Sequence, residues 1–128
     1  MMDENELKHR TKQFALRAMK LVGALPETTV GRTIGNQLVR SATSVGANYR
    51  AACRGRSKAE FVAKLGVVVE EADESSYWLE LIIDSEMLKK PLVEPLLSES
   101  SELTAIMVAS RKSAMASIKN QKSKIENA

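Results

Sequence analysis

Apolar residues recur every three or four positions along most of the chain, and this spacing constrains the fold more than any other feature. A step of three or four places successive side chains on one face of an α-helix, whereas a half-buried strand would need strict alternation. The first such stripe consists of Leu7, Thr11, Phe14, Ala18, Leu21 and Leu25. The pattern therefore predicts helices and gives no sign of a sheet.

Turn signals divide the periodic sequence into four segments. The predicted helices cover about residues 5–24, 30–54, 57–89 and 93–120. Pro26 closes the first helix, Ser57 and Glu60 form a capping box at the start of the third, and Pro91 ends it. Four amphipathic helices with short connections favour an all-α, antiparallel, up-down-up-down four-helix bundle. A chain of 128 residues suits one such domain, spanning residues 1–128.

Glycines are placed unusually within the second predicted helix. Gly31, Gly35 and Gly46 each lower its helix propensity by about 1 kcal/mol relative to alanine. We expect them to allow a neighbouring helix to approach closely. Gly55, just beyond the helix, is predicted to end it in a left-handed conformation.

The composition excludes several other classes of protein. No uncharged apolar run approaches the roughly 18 residues of a membrane-spanning helix, and the first residues, MMDENELKHRTKQF, lack the apolar core of a secretory signal. Cys53 is the only cysteine, so no internal disulfide can form. A single thiol suits a reducing compartment. We expect a cytoplasmic protein with no membrane association.

Charge is distributed unevenly, although the net charge is only +3. Residues 1–64 hold 12 Lys and Arg against 5 Asp and Glu, whereas residues 65–128 hold 7 against 11. Within the second half, the segment EEADESSYWLELIIDSE contains no basic residue. Such asymmetry indicates one electropositive and one electronegative surface. The positive surface is either a polyanion site or a set of charges that pair within the bundle or between subunits.

Basic residues of the second helix fall at helical spacing on one face, away from its apolar stripe, and the positive charge continues around the following turn. Guanidinium groups bind phosphates through paired hydrogen bonds. The predicted nucleic-acid-binding residues are Arg40, Arg50, Arg54, Arg56, Lys58 and Lys64. Alternatively, these cations form a solvated face or pair with the acids of residues 70–74 in a neighbouring helix or subunit. A phosphate loop is excluded, because the GxxxxGK[ST] pattern and its preceding strand are absent.

The residues that catalysis or metal binding would need are scarce. His9 is the only histidine and has no cysteine near it in sequence, which disfavours a zinc site. The carboxylates of the third helix lack the histidine partners of a di-metal bundle site, and Cys53 has no nearby histidine to activate it. The sequence therefore predicts a protein without enzymatic activity, metal or cofactor.

The segment QLVRSATSVGANYRAACRGRSKAEFVAKLGVVVEEADESSYWLELI resembles the family of 23S rRNA intervening-sequence proteins, also called the S23 family. The resemblance covers about residues 14–113. It rests on Arg40, Ser44, Asn48, the Arg56-Ser57 turn, Glu60-Phe61, Glu71 and Glu74. One departure is Gly46, where many members have proline. Another is Arg50-Ala51-Ala52 in place of Ala-Glu-Gly, which makes the second helix more basic and removes a glutamate.

The resemblance implies a small helical bundle that assembles as a ring-like homo-oligomer, often a pentamer, without an accepted enzymatic activity. Genes of the family commonly lie within insertions in ribosomal RNA genes. The family is also related to accessory proteins of diversity-generating retroelements, which are basic bundles that bind reverse transcriptase and RNA. We therefore expect a homo-oligomeric protein that contacts RNA through its basic second helix. The alternative is a protein-binding adaptor, such as an accessory subunit of a reverse transcriptase.

Overall fold

Four α-helices make up nearly all of residues 2–127, which are the residues described by this computed structural model. They are α1 (Glu4–Val22), α2 (Thr29–Cys53), α3 (Lys58–Asp84) and α4 (Lys90–Glu126). No strand occurs in this part of the chain. The predicted all-α class is confirmed.

The helices form an antiparallel bundle in which each helix packs against the next in sequence and α1 also contacts α4. The direction of packing between α1 and α2 follows from two contacts. Gly46, late in α2, lies against Thr11 near the start of α1, whereas Gly35, early in α2, lies against Val22 at the end of α1. For α3 and α4, Lys58 at the start of α3 contacts Ser117 late in α4. Ser76 late in α3 contacts Ser100 early in α4. Together with the short turns between successive helices, these contacts confirm the predicted up-down-up-down arrangement.

The core consists of the stripes that the periodicity predicts. Phe14 of α1 and Leu38 of α2 are completely buried, as are Leu65 of α3 and Leu103 of α4. The stripe of α4 is buried only as far as Met107, beyond which its side chains become half-buried or exposed. The spacing of apolar residues thus identifies the inner face of every helix.

The end of α3 differs from the prediction, which continued this helix to residue 89. The helix ends at Asp84, and Glu86 then adopts a left-handed conformation with φ 59°. Pro91 does not stop α3; it lies in the first turn of α4, where a missing amide proton costs no hydrogen bond. Apolar residues occur on both sides of this tight turn, so their spacing alone did not reveal where the helix ends.

Helix α4 is longer at both ends than the predicted range of 93–120. It begins at Lys90 and continues to Glu126. Residues 119–127 are all exposed. Lys58, the first residue of α3, contacts Ser117 of α4, so the last two turns of α4 extend past the start of its neighbour. We define residues 119–127 as the α4 extension.

Two of the predicted close approaches at glycine occur between α1 and α2. A Cβ atom on Gly35 would lie 2.9 Å from a methyl carbon of Val22, and one on Gly46 would lie 3.2 Å from the Thr11 hydroxyl oxygen. Gly55 behaves differently from its prediction. None of the described glycines has a positive φ, and α2 instead ends at Arg54 with φ −93°.

Polar contacts between helices set their relative register. The Ser75 hydroxyl of α3 donates to the Ser41 hydroxyl of α2 at 2.9 Å, and Ser76 and Ser100 join α3 to α4 in the same way. Such contacts form at only one longitudinal offset of the helices. Every buried side-chain nitrogen or oxygen among residues 2–127 has a hydrogen-bond partner.

Two ion pairs, both formed by Arg10, join α1 to α4. The Arg10 guanidinium donates to both carboxylate oxygens of Glu99, at 2.7 and 2.6 Å, and to Glu102 at 2.9 Å. The side chain of Glu99 is only 14% exposed. Hydrogen bonds from Arg10 hold the pKa of Glu99 below its ordinary value despite this burial.

The described residues include no helix long and apolar enough to cross a membrane.

Candidate nucleic-acid interface

Five of the six predicted binding residues lie together at the end of the bundle where α2 turns into α3. We call this cluster the basic end; its members are Arg50, Arg54, Arg56, Lys58 and Lys64. All five are exposed. None of them forms an ion pair with a carboxylate of residues 2–127. The basic end therefore presents unneutralised positive charge to solvent.

Local capping builds the turn that holds these cations. Arg54 ends α2, and the Ser57 hydroxyl accepts the amide N–H of Glu60 at 3.1 Å to start α3. The Glu60 carboxylate accepts the Arg56 amide at 2.6 Å, one residue before the position expected of a capping box. This carboxylate is thus engaged by the backbone of the turn.

A cleft of about 560 Å³ lies at the turn, and we call it the turn cleft. Arg54, Arg56 and Lys64 contribute its positive charge, and Glu60 contributes the one carboxylate. Gly55 lies in the same wall, where a Cβ atom would come within 3.0 Å of the Ala52 carbonyl oxygen. The concave shape and the excess of cations suit an anionic ligand.

Arg40 is separated from the other five predicted residues by its contacts. Its guanidinium donates to Glu71 of α3 at 2.9 Å and also pairs with Glu74. Arg40 therefore pairs with acids of a neighbouring helix of the same chain, which was the alternative to phosphate binding. The charge of Arg40 is thus neutralised by carboxylates, whereas each cation of the basic end lacks such a partner among residues 2–127.

Sequence reasoning missed basic residues of α1 that come close to Arg50. Lys8, His9 and Lys12 line a groove of about 440 Å³ between α1 and α2, and Arg50 lies on its other side. We call it the α1–α2 groove. The spacing of Lys8 and Lys12 places them on one helix face, but only the packing of α1 against α2 brings that face to Arg50.

The α4 extension adds three more cations, Lys119, Lys122 and Lys124. Since the α4 extension follows directly after Ser117, which contacts Lys58, these lysines lie beyond the same end of the bundle. The predicted range of 93–120 left Lys122 and Lys124 outside the fourth helix. Helix α4 in fact carries them as exposed residues of its last turns.

An acidic stripe runs along α3. Its carboxylates follow the helical spacing with an exposed aromatic residue at the centre, and its members are Glu70, Asp73, Tyr77, Glu80 and Asp84. None of its four acids forms an ion pair with another residue of the described chain. The electronegative surface expected from the charge asymmetry is therefore this stripe.

Three titratable side chains near the start of α1, those of Glu4, Tyr49 and Cys53, have shifted pKa values. Burial raises the pKa of the Cys53 thiol, and the nearby Glu4 carboxylate raises it further. Burial likewise raises the pKa of Tyr49. Among residues 2–127, no group of three His, Cys, Asp or Glu side chains is arranged to hold a metal ion.

The fold and its charged surfaces define a class: a small antiparallel four-helix bundle with a cationic end and an acidic side. Within that class, the chain belongs to the family of 23S rRNA-intervening sequence proteins, whose family model matches residues 3–109. The match covers all of α1, α2 and α3 and the first half of α4. The resemblance stated from the sequence is thereby confirmed.

A solved structure is similar over most of the chain. It is the crystal structure of a protein of unknown function from the S23 ribosomal protein family of Bacteroides thetaiotaomicron. The two chains are 33% identical and superpose with a TM-score of 0.80, over 87% of this chain and 99% of the other. No curated protein matches the chain significantly.

Proposed function

We propose that this protein is a non-enzymatic, homo-oligomeric RNA-binding protein of the cytoplasm and that RNA contacts its basic end. The observation that carries the proposal is the clustering of five exposed cations without carboxylate partners among residues 2–127. Three of them are arginines, which bind phosphates bidentately. Arg40 belongs to the proposed surface only at its margin, because Glu71 and Glu74 already occupy its guanidinium.

Self-association is part of the proposal because one basic end offers few phosphate contacts. A ring of subunits, such as the pentamer that the family resemblance implies, would repeat the basic end and multiply weak contacts through avidity. Exposed apolar side chains are available for such an interface: Leu16, Met19 and Leu92 are each about half exposed or more. Leu92 also lines an apolar groove of about 320 Å³ between α1 and α4.

We also propose that the protein catalyses no reaction. The most nucleophilic side chain of the chain, the Cys53 thiol, has a raised pKa and is therefore held in its unreactive protonated form. The charged groups of the basic end would bind RNA by electrostatic contact with phosphates and require no cofactor.

Binding to a structured RNA and to duplex DNA across a salt series tests this function. The test variant is Arg50→Glu with Arg54→Glu, and the matched control is Arg32→Glu with Lys89→Glu, which reverses two exposed charges at the opposite end of the bundle. We expect wild type to show a steep salt dependence, with each phosphate contact contributing about 0.9 to the slope on a duplex. The test variant should lose binding while keeping its oligomeric mass, and the control should bind as wild type does.

Absence of wild-type binding at ~50 mM salt, where phosphate contacts are strong, would contradict direct nucleic-acid binding. Equal losses in the test and control variants would show that net charge, rather than the basic end, attracts the RNA. Mass measurement of the wild-type protein in solution tests the oligomer separately, and a monomer at micromolar concentration would contradict it.

The second candidate is an adaptor for a basic protein, such as a nucleic-acid-processing enzyme. The acidic stripe of α3 favours it, because four unpaired carboxylates surround an exposed tyrosine, a residue enriched at protein interfaces. Charge reversal of Asp73 and Glu80 distinguishes the candidates. It should abolish binding of a basic partner but leave RNA binding intact.

A further inference from the structure

The α1–α2 groove combines Arg50 of the basic end with cations of α1 that do not belong to the basic end. One stripe of α1 in its wall consists of Lys8, Lys12 and Ala15, and the facing stripe of α2 consists of Thr43, Ala47 and Arg50. His9, Thr11 and Gly46 complete the lining. Each stripe follows helical spacing, so the two stripes face each other across the groove. Because the helices are antiparallel, the three cations gather at the end nearest the α2–α3 turn, and the small residues continue the groove away from it.

The cations of the groove are barely neutralised. Lys8 has a single carboxylate partner, Glu4, at 3.6 Å, and the two side chains are 36% and 54% exposed. Lys12 and Arg50 form no ion pair with any of residues 2–127. Gathering three positive charges around one concave surface is unfavourable unless an anion offsets their repulsion. The groove is therefore suited to a phosphate-bearing ligand.

The width of the groove limits which nucleic acid can enter it. Gly46 brings α2 against Thr11 of α1, so the bottom of the groove is closed by two helices in direct contact. The axes of neighbouring helices lie about 8–10 Å apart, so the two crests that border the groove are separated by much less than the diameter of a double helix. A duplex would touch only the outer cations, whereas one sugar-phosphate strand would lie along the groove above this contact, beside Ala15 and Ala47.

The lining also indicates how such a strand would be recognised. No Phe, Tyr or Trp lines the groove, so the aromatic platforms on which single-strand-binding proteins stack bases are missing there. Positive charge remains the main source of attraction, and Arg54 lies one helical turn beyond Arg50 towards the turn cleft. A bound strand would thus pass from the turn cleft into the groove.

We propose that the α1–α2 groove binds one single strand of nucleic acid through its phosphates, with Lys8, Lys12 and Arg50 as the contacting cations. This inference rests on the proposed RNA-binding function and specifies its ligand as a single strand. Recognition of phosphates alone makes binding independent of base sequence and nearly equal for RNA and DNA.

Two substitutions test the groove by different means. Ala47→Leu fills it without changing charge, and Lys12→Gln removes one phosphate contact without adding bulk. Their matched controls are Ala105→Leu on the exposed side of α4 and Lys20→Gln, two turns further along α1. The probes are an oligouridylate and an oligothymidylate of about 20 nucleotides, longer than the ~4–16 nucleotides typical of small single-strand sites, and an RNA duplex of the same length.

We expect Ala47→Leu to weaken single-strand binding at least about fivefold and Lys12→Gln to lower the salt slope by about 0.7, the contribution of one phosphate on a single strand. Duplex binding should not change with Ala47→Leu, and both controls should match wild type. Helix content and oligomeric mass verify folding. If Ala47→Leu fails to fold, the slope of Lys12→Gln still decides the question.

Three results would overturn the inference in distinguishable ways. If wild type binds single strands, both groove variants match their controls and Arg56→Glu with Lys64→Glu abolishes binding, the strand lies in the turn cleft and the RNA-binding function stands without the groove. A tenfold preference between the two single-stranded probes would contradict recognition through phosphates alone. If wild type binds none of the three probes, the proposed function itself is wrong, and the groove proposal is lost with it.

Discussion

The ion pair between Arg10 and Glu99 should stabilise the bundle more than any other surface charge pair, because it is less exposed than the pairs of Arg40, which also join two helices. We consider Glu99→Gln, which removes the charge and keeps the shape, together with Arg10→Met in a double-mutant cycle. Arg10 also donates to Glu102, so its single substitution removes two contacts. The cycle isolates the contact between Arg10 and Glu99 alone.

The magnitude follows from geometry and exposure. Two short charge-assisted hydrogen bonds join the side chains, and bonds of this kind contribute about 1.5–3 kcal/mol each when well shielded. The Arg10 side chain is 25% exposed and that of Glu99 14%, so solvent screening lowers this figure. We expect a coupling energy of about 1.5–2 kcal/mol, above the ~0–1 kcal/mol of exposed pairs and below the ~3–5 kcal/mol of fully buried ones.

The contribution of this ion pair to the free energy of unfolding should decrease as the pH is lowered. The pKa of Glu99 is lower in the folded protein than in the unfolded chain, so its stabilisation is complete above about pH 4.3, the ordinary value of a glutamate. It is lost as the pH falls through the lower folded value. The stability difference between wild type and Glu99→Gln should therefore be constant near neutral pH and shrink in acid.

Urea unfolding followed by circular dichroism, at neutral pH and at several acidic values, measures these quantities. The matched control is the exposed pair of Lys90 and Glu94, which are four residues apart on α4. Glu94→Gln should cost no more than about 0.5 kcal/mol. A coupling energy for Arg10 and Glu99 as small as that control, or a stability difference that grows as the pH falls, would refute the reasoning.

Three further predictions concern local geometry. Gly31→Ala should destabilise the protein by about 1–3 kcal/mol in urea unfolding, because the new Cβ would lie 2.1 Å from the Pro26 carbonyl oxygen. The control is Gly23→Ala, which should be nearly neutral because Gly23 is exposed and has a helical φ of −60°. Glu86→Gly should raise stability by about 0.5–1 kcal/mol, since it relieves a left-handed φ of 59°, and an unchanged unfolding midpoint would contradict this. The Cys53 thiol should react with a disulfide reagent more slowly than a free cysteine at neutral pH, because burial raises its pKa, and equal rates would show that the thiol is not shielded.

The predicted binding residues fall into two groups. The surroundings of one group are formed by residues near in sequence, and those of Arg40 are formed by residues far away in sequence. Arg50, Arg54 and Arg56 remain together because a single turn of chain holds them, and any helix-turn-helix arrangement would keep them adjacent. Arg40 is two to three helical turns away along α2, and its environment depends on the glutamates of α3. The nearer of its two partners in sequence, Glu71, is 31 positions away.

The sequence by itself determined the features that depend on local periodicity. The repeated three-and-four spacing specified the helices and their buried faces, and the order of charges along the chain specified a basic turn. These properties follow from the 3.6-residue period of the helix and need no knowledge of neighbouring elements.

Only the tertiary structure decided which faces meet. It placed Lys12 across a groove from Arg50, and it joined Arg10 to Glu99 over 89 positions of sequence. The physical reason is that an exposed polar stripe is compatible with many rotations and offsets of a helix. The packing of buried side chains, with close approaches such as Gly46 against Thr11, selects one of them.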